Sequence, residues 1–103
     1  MNKSFNDMYV IAALIAYGFE QSGVDDKDKN RQKYLFSTEE KQKVYTIQPD
    51  GRSRWDLLDP LALEKAYSNE RLLFPPNYPH VLRTVKYQII SKKHEDEEVE
   101  YDN

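Results

Sequence analysis

The apolar stretch MYVIAALIAYGF, residues 8–19, restricts the fold of this chain more than any other feature. Its 12 residues are too few for a membrane-spanning helix, which needs about 20. Apolar residues recur at helical spacing and also occupy much of the remaining circumference. We therefore predict a helix over residues 4–18 that is covered on more than one side. Ser4 is placed to cap its start, and Gly18 is a natural end because glycine takes left-handed dihedral angles without penalty.

Length and composition indicate one small globular domain. A chain of 103 residues can bury one modest core. A content of 39% hydrophobic and 32% charged residues is typical of a globular protein rather than a disordered one. The absence of cysteine excludes a disulfide framework and thiolate chemistry. We expect a single soluble domain over residues 1–94.

The remaining segments predict strands followed by helices. The strand segments are 19–25, 32–37 and 43–48. The polar turn DDKDKN lies between the first two, and the turn PDGR follows the third. Asp59 and Pro60 suit the N-cap and first position of a second helix that ends near Asn69. A third helix is predicted over residues 78–93. The order helix-strand-strand-(strand)-helix-helix predicts a small α+β domain.

Apolar rows indicate which sides of the last two helices are buried. The second helix has the row Leu61, Leu63, Ala66 and Tyr67, and the third has the row Tyr78, Leu82, Val85 and Ile89. Fully burying each such side chain is worth about 1.5–3 kcal/mol, which exceeds what a surface cation contributes. Burial therefore fixes the helix orientation, and the charged side chains take the side that faces water.

Charge is distributed unevenly along the chain. The net charge is −3, but six of the nine residues from 95 to 103 are carboxylates. Without them the chain has 15 basic and 18 − 6 = 12 acidic side chains, a balance of +3. Because residues 95–103 have nothing to bury, we predict a disordered acidic tail on a weakly basic body.

No motif of catalysis, metal binding or cofactor binding stands out. Only three glycines exist, and they form no phosphate loop. The two histidines, His80 and His94, have no metal-ligand spacing around them. DDKDKN fails as a calcium loop, because Arg31 and Ser37 stand where glycine and glutamate are needed. We predict a protein that is not an enzyme and that has no metal or cofactor.

The segment 38–58 is the predicted protein-binding surface. It holds Tyr45, Arg52, Arg54 and Trp55, and these residue types are the usual anchors of protein interfaces. The sequence leaves open whether Trp55 lies in the core instead.

The third helix offers an alternative surface for nucleic acid. Arg83, Lys86 and Lys93 fall on one face, which could contact phosphates. The ordinary solvated side of a helix explains the same pattern. The acidic tail disfavours nucleic acid, because it competes for any nearby basic surface.

The stretches DMYVIAALIAYGFEQSGVD, KYLF and LRTVKYQI resemble a small family of unknown function that is encoded mostly by bacteriophages and bacterial mobile elements. In that family a Leu/Ala-rich helix ends at a glycine, a short strand ends near Gly-Val, and a second strand and a basic-apolar helix follow. Gly18, Gly23 with Val24, Tyr34 to Phe36, and Leu82 to Ile89 fill those places here. The resemblance covers residues 5–37 and 66–90, and residues 38–60 look like an insertion. It implies no functional residue.

These observations predict a non-catalytic phage or mobile-element accessory protein that binds a host or defence-system protein. The alternatives are a nucleic-acid-binding protein that uses the third helix and a small structural or assembly protein of a virion. No signal-peptide cleavage pattern follows Lys3 and Asp7, so we expect a cytoplasmic protein in a bacterial host. A homo-oligomer is compatible with the sequence, and no membrane partner is expected.

Overall fold

The chain begins with a strand rather than with the expected helix. The computed structural model describes residues 1–25 and 33–88. The elements in chain order are β1 (Asn2–Phe5), α1 (Met8–Ala16), β2 (Gln21–Asp25), β3 (Lys33–Ser37), β4 (Gln42–Ile47), β5 (Ser53–Leu58), α2 (Pro60–Ser68) and a third helix, α3, over 78–88. The predicted α+β class is confirmed. Two elements, β1 and β5, are additions to the predicted order.

The predicted helix start at Ser4 is wrong. Ser4 lies in β1 and pairs with Leu35 of β3. The N-cap of α1 is Asp7, whose carboxylate accepts a hydrogen bond from the backbone N–H of Tyr9 at 2.9 Å. Phe5 explains the difference, because it is buried as part of β1 rather than as part of a helix.

The first sheet has the strand order β1-β3-β2, and both pairings are antiparallel. Its central strand, β3, alternates between buried and half-buried residues, with Tyr34 and Phe36 buried. The ring of Phe36 meets that of Phe5 edge to face at a centroid distance of 5.9 Å. This apolar face of the sheet belongs to the same core as α1.

Helix α1 is buried on more than one side, as predicted. Residues 10–14 are five consecutive buried positions, so neighbours contact the whole circumference of the helix. Gly18 ends it with φ of 98°. Its N–H donates to the carbonyl of Ile15, and the N–H of Phe19 donates to that of Leu14, both at 3.0 Å. This bonding satisfies the last helical carbonyls and requires a left-handed residue.

The second sheet is the hairpin of β4 and β5. Its turn is the predicted PDGR, in which Gly51 has φ of 85°. The N–H of Gln48 donates to the carbonyl of Arg52 at 2.7 Å. The other edge of β4 receives residues 71–73, because the N–H of Ile47 donates to the Arg71 carbonyl at 2.7 Å. Val44 and Thr46 of β4 are buried beneath this sheet.

The hydroxyl of Tyr17 links α1 to the second sheet. It donates to the carbonyl of Leu73 and accepts the N–H of Tyr45 at 3.3 Å. The hydroxyl therefore bridges the N–H of Tyr45 and the carbonyl of Leu73, which would bond directly to each other in a regular sheet. Burial raises the pKa of Tyr17, so the phenol keeps the proton that it donates.

Replacing Tyr17 with phenylalanine leaves the N–H of Tyr45 and the carbonyl of Leu73 without their hydroxyl partner. We expect a loss of about 1–3 kcal/mol in the free energy of unfolding. Urea denaturation followed by circular dichroism measures this change. The matched control is Tyr87→Phe, because Tyr87 is 73% exposed. Equal stability of the two variants would contradict a structural role for the Tyr17 hydroxyl.

Helix α2 begins and ends as predicted. The Asp59 carboxylate accepts the N–H of Ala62 at 2.8 Å, Pro60 occupies the first turn, and Asn69 is the C-cap. Leu63 is fully buried, as expected, whereas Leu61 is exposed and its predicted inward orientation is wrong. Of these two residues, only Leu63 faces the core, and Leu61 lies on the solvent side of the helix.

Helix α3 packs through its apolar row. Val85 is 1% exposed, while Tyr78 and Leu82 are half-buried against the core. Lys86, the next residue along the helix, is exposed. The predicted orientation of the helix is confirmed for these residues, and the predicted role of Ile89 lies outside the described residues.

Removing two methyl groups at Val85 should destabilise the fold much more than removing the neighbouring charge. We expect Val85→Ala to lower the free energy of unfolding by about 1.5–3 kcal/mol. Lys86→Ala should change it by no more than about 0.5 kcal/mol, because that side chain is exposed. Chemical denaturation of both variants measures the difference. A Lys86→Ala cost as large as that of Val85→Ala would contradict the orientation of α3.

Some predictions concern residues that the structure does not describe. They are the turn within 26–32, Lys93, His94 and the acidic tail 95–103. Within 1–25 and 33–88, no helix has both the length and the apolar character that crossing a membrane requires.

Candidate protein-binding surface

The β4–β5 hairpin has one side against the core and one side toward solvent. Directly opposed residues of antiparallel strands share a face, and successive residues alternate. The pairs Lys43–Leu57, Tyr45–Trp55 and Ile47–Ser53 therefore lie on one side, which we call the outer face. The buried residues Val44 and Thr46 lie on the other side, the inner face.

Large apolar side chains are exposed on the outer face. Trp55 is 60% exposed and Leu57 is 62% exposed. The Trp55 ring lies against that of Tyr45 at a centroid distance of 4.7 Å and an interplanar angle of 39°. Contact with Tyr45 restricts the indole to one side of the hairpin, so the aromatic pair presents a defined surface at little further loss of entropy on binding.

The inner face carries a polar network at its β5 side. One oxygen of Asp56 accepts the Thr46 hydroxyl at 2.8 Å, and the other accepts Nε of Arg54 at 2.8 Å. Gln48 donates to the same carboxylate at 3.4 Å. The Thr46 hydroxyl, and then the Arg54 guanidinium, hold the pKa of Asp56 below its usual value. Asp56 is thus a fixed carboxylate that satisfies the buried Thr46.

The four residues predicted for protein binding do not form one patch. The structure brings Tyr45 and Trp55 together on the outer face. Arg54 lies on the inner face opposite Thr46, and Arg52 is exposed at the end of the hairpin turn. The open question about Trp55 is answered by its exposure, which places it outside the core.

Sequence reasoning missed Leu57 as a member of the exposed surface. The signal was the alternation of Arg54, Trp55, Asp56 and Leu57, which is the period of a strand with two different faces. The expected insertion at 38–60 obscured it, because that segment was expected to hold only one strand.

The exposure of Trp55 can be measured directly, because it is the only tryptophan in the chain. We expect its fluorescence emission in dilute solution to have the red-shifted maximum of a hydrated indole and to be quenched by iodide. The free indole in the same buffer is the reference for full exposure. A blue-shifted emission that iodide leaves unchanged would show that Trp55 is buried.

The cations predicted for nucleic-acid binding lie on α3. Arg83 and Lys86 are both exposed, and no carboxylate of the described residues forms an ion pair with either. Lys93 lies outside the described residues. His80 is exposed near the start of the helix, where its carbonyl accepts the Thr84 hydroxyl at 3.1 Å. The described part of α3 therefore supplies two lysine or arginine side chains for phosphate contact.

A second apolar feature is an open groove of about 430 Å³ beside the end of α2. It is lined by Tyr67, Ser68, Glu70, Leu72 and Phe74. Glu70 has φ of 58°, because it holds the left-handed position that closes α2, where glycine is usual. Phe74, which lines the groove, also contacts the ring of Tyr78 at 4.2 Å between ring centroids. Among the described residues, no buried side-chain nitrogen or oxygen lacks a hydrogen-bond partner, so none is left for a ligand in the groove to satisfy.

The described residues include no group of three His, Cys, Asp or Glu side chains that could hold a metal ion. No protein-family model, curated protein or solved structure matches this chain. The geometry of the outer face is therefore the main physical guide to function.

Proposed function

We propose that this chain is a non-catalytic protein that binds another protein through the outer face of the β4–β5 hairpin. The observation that carries the proposal is the exposure of Trp55 and Leu57 beside Tyr45 on one side of a two-stranded sheet. Contiguous exposed apolar surface favours a protein contact over solvent. Tryptophan and tyrosine are enriched among residues whose truncation weakens interfaces most.

The arrangement suits binding rather than stability of the isolated chain. Leu57 and Trp55 gain little by burial within the hairpin, since each remains more than half exposed. Covering them with a partner removes that apolar area from water and gains roughly 25 cal/mol per Å² before the costs of association. The charged Lys43, exposed on the same face opposite Leu57, gives this surface a polar rim.

The partner that we propose is a protein of a bacterial host or of its defence system. We propose that the chain itself is a phage or mobile-element accessory protein in the host cytoplasm. The resemblance of residues 5–37 and 66–90 to a phage-encoded family supports this setting. A virion assembly role is the alternative within the same setting, and the identity of the captured partner distinguishes the two.

The test is capture from bacterial host lysate by the tagged wild-type chain and by two variants. Trp55→Ser removes the proposed anchor, and Tyr87→Ser removes an aromatic residue of α3 that is 73% exposed. We expect a partner to be retained by the wild type and by Tyr87→Ser but lost with Trp55→Ser. With that partner purified, Trp55→Ser should raise the Kd by about 30-fold, which is about 2 kcal/mol.

A captured protein that binds Trp55→Ser as tightly as the wild type would contradict the outer face as the binding surface. Loss of the partner with Tyr87→Ser alone would move the surface to α3. Thermal denaturation of both variants shows whether each is folded before its binding is compared.

Nucleic-acid binding is the second candidate. Its support is the exposure of Arg83 and Lys86 without a carboxylate ion-pair partner among residues 1–25 and 33–88. Two cations on one helix give weak affinity with a shallow salt dependence, since each phosphate contact releases only about one counterion. The aromatic outer face offers the larger and more directional contact, so we favour protein binding.

A further inference from the structure

Strand β5 has one edge that pairs with no other strand among the described residues. Gln48 and Arg52 form a hydrogen-bonded pair at the turn, and such pairs alternate along an antiparallel ladder. The backbone groups of Ser53, Trp55 and Leu57 therefore point away from β4. The residues of β4 opposite them confirm this alternation. The backbone groups of Ile47 and Tyr45 point away from β5 and bond to residues 71–73 on the other edge of β4.

The uncovered edge carries inward-pointing charges at Arg54 and Asp56 but lacks the other features that usually prevent strand pairing. Natural edge strands are protected by proline, lysine, bulges or a covering loop. β5 has the sequence SRWDLL, with regular register to β4 along its whole length and neither proline nor lysine. Its arginine is already neutralised by Asp56 at 2.8 Å. As far as the described residues show, this edge is therefore available to pair with a strand of another molecule.

We propose that β5 pairs antiparallel with β5 of a second copy of this chain, with the two-fold axis at Trp55. In this register Trp55 lies opposite Trp55 of the second copy, and Ser53 lies opposite Leu57. Arg54 of each copy lies opposite Asp56 of the other copy. The charges of the strand are therefore complementary to themselves, which is the property that an isologous contact requires.

The register also satisfies the uncovered backbone groups. Residues whose N–H and C=O point outward exchange two hydrogen bonds when they lie opposite each other. The Trp55–Trp55 pair and the two Ser53–Leu57 pairs are all of this kind. A register shifted by one residue would place inward-pointing groups of one copy against outward-pointing groups of the other, so it is excluded.

The two-fold pairing gives a continuous four-stranded sheet. On its outer face the two Tyr45–Trp55 stacks come side by side, which doubles the exposed aromatic surface. On its inner face each Asp56 is flanked by Arg54 from both copies. A strand from an unrelated protein could use the same edge, but it would not in general match the alternating charges at 54 and 56.

The test is sedimentation velocity of the full chain from about 1 µM to about 1 mM, a range that spans weak self-association. We expect a monomer–dimer equilibrium. Ser53→Pro removes an N–H that points away from β4, so it leaves the hairpin ladder intact while blocking the seam. Arg54→Glu turns each attraction across the seam into a repulsion. Both variants should raise the dimer Kd at least 10-fold, and the matched control Ser53→Ala should leave it unchanged.

A chain that stays monomeric throughout this range overturns the proposal, and so does a dimer that survives both Ser53→Pro and Arg54→Glu. Circular dichroism at low concentration checks that each variant is folded. Self-association is measured with this chain alone, so its outcome is separate from partner binding. A monomeric wild type whose partner is lost with Trp55→Ser would retain the proposed function and reject the dimer.

Discussion

The burial of the middle of α1 around its whole circumference is the constraint on which the rest of this structure depends. Five consecutive residues, 10–14, lie in the core, so a single sheet cannot cover the helix. The first sheet covers one side, and α2, α3 and the hairpin contribute to the same core. Side chains from the later part of the chain also bind the α1 backbone, since Asn77 reaches the carbonyl of Ala16 at 3.4 Å and Tyr78 that of Tyr9 at 3.3 Å.

This constraint determines what the hairpin can contribute and what it leaves exposed. The inner face of β4 is used for the core through Val44 and Thr46, and β5 extends beyond that contact. On the inner side of β5, Leu58 packs against the core and Asp56 forms hydrogen bonds. Two of the three large apolar side chains of β5, Trp55 and Leu57, are consequently left on the solvent side, where we propose that they bind a partner.

Sequence reasoning succeeded where local chemistry alone fixes the structure. Gly18 marks the end of α1, and Asp59 marks the start of α2, because each satisfies backbone groups within a few residues. The short β1 has no such local signal, since its pairing with β3 depends on residues from 34 − 5 = 29 to 37 − 2 = 35 positions away. For β5, the usual rule was reversed at three positions: Trp55 and Leu57 face solvent, and the carboxylate of Asp56 faces inward. The packing of β4 against the core determines which face of β5 is exposed, and the sequence of β5 alone does not show it.

The Tyr17 hydroxyl has a consequence for the order of folding. It joins positions 56 residues apart in the chain, from the end of α1 to Leu73. Closing so long a loop costs entropy before the contact is gained, whereas the hairpin of β4 and β5 closes over a turn of three residues. We expect the hairpin to form early and to attach to α1 late, when residues 71–73 arrive beside β4. Native-state hydrogen exchange should then find the hairpin amides opening as one unit, separately from those of the first sheet.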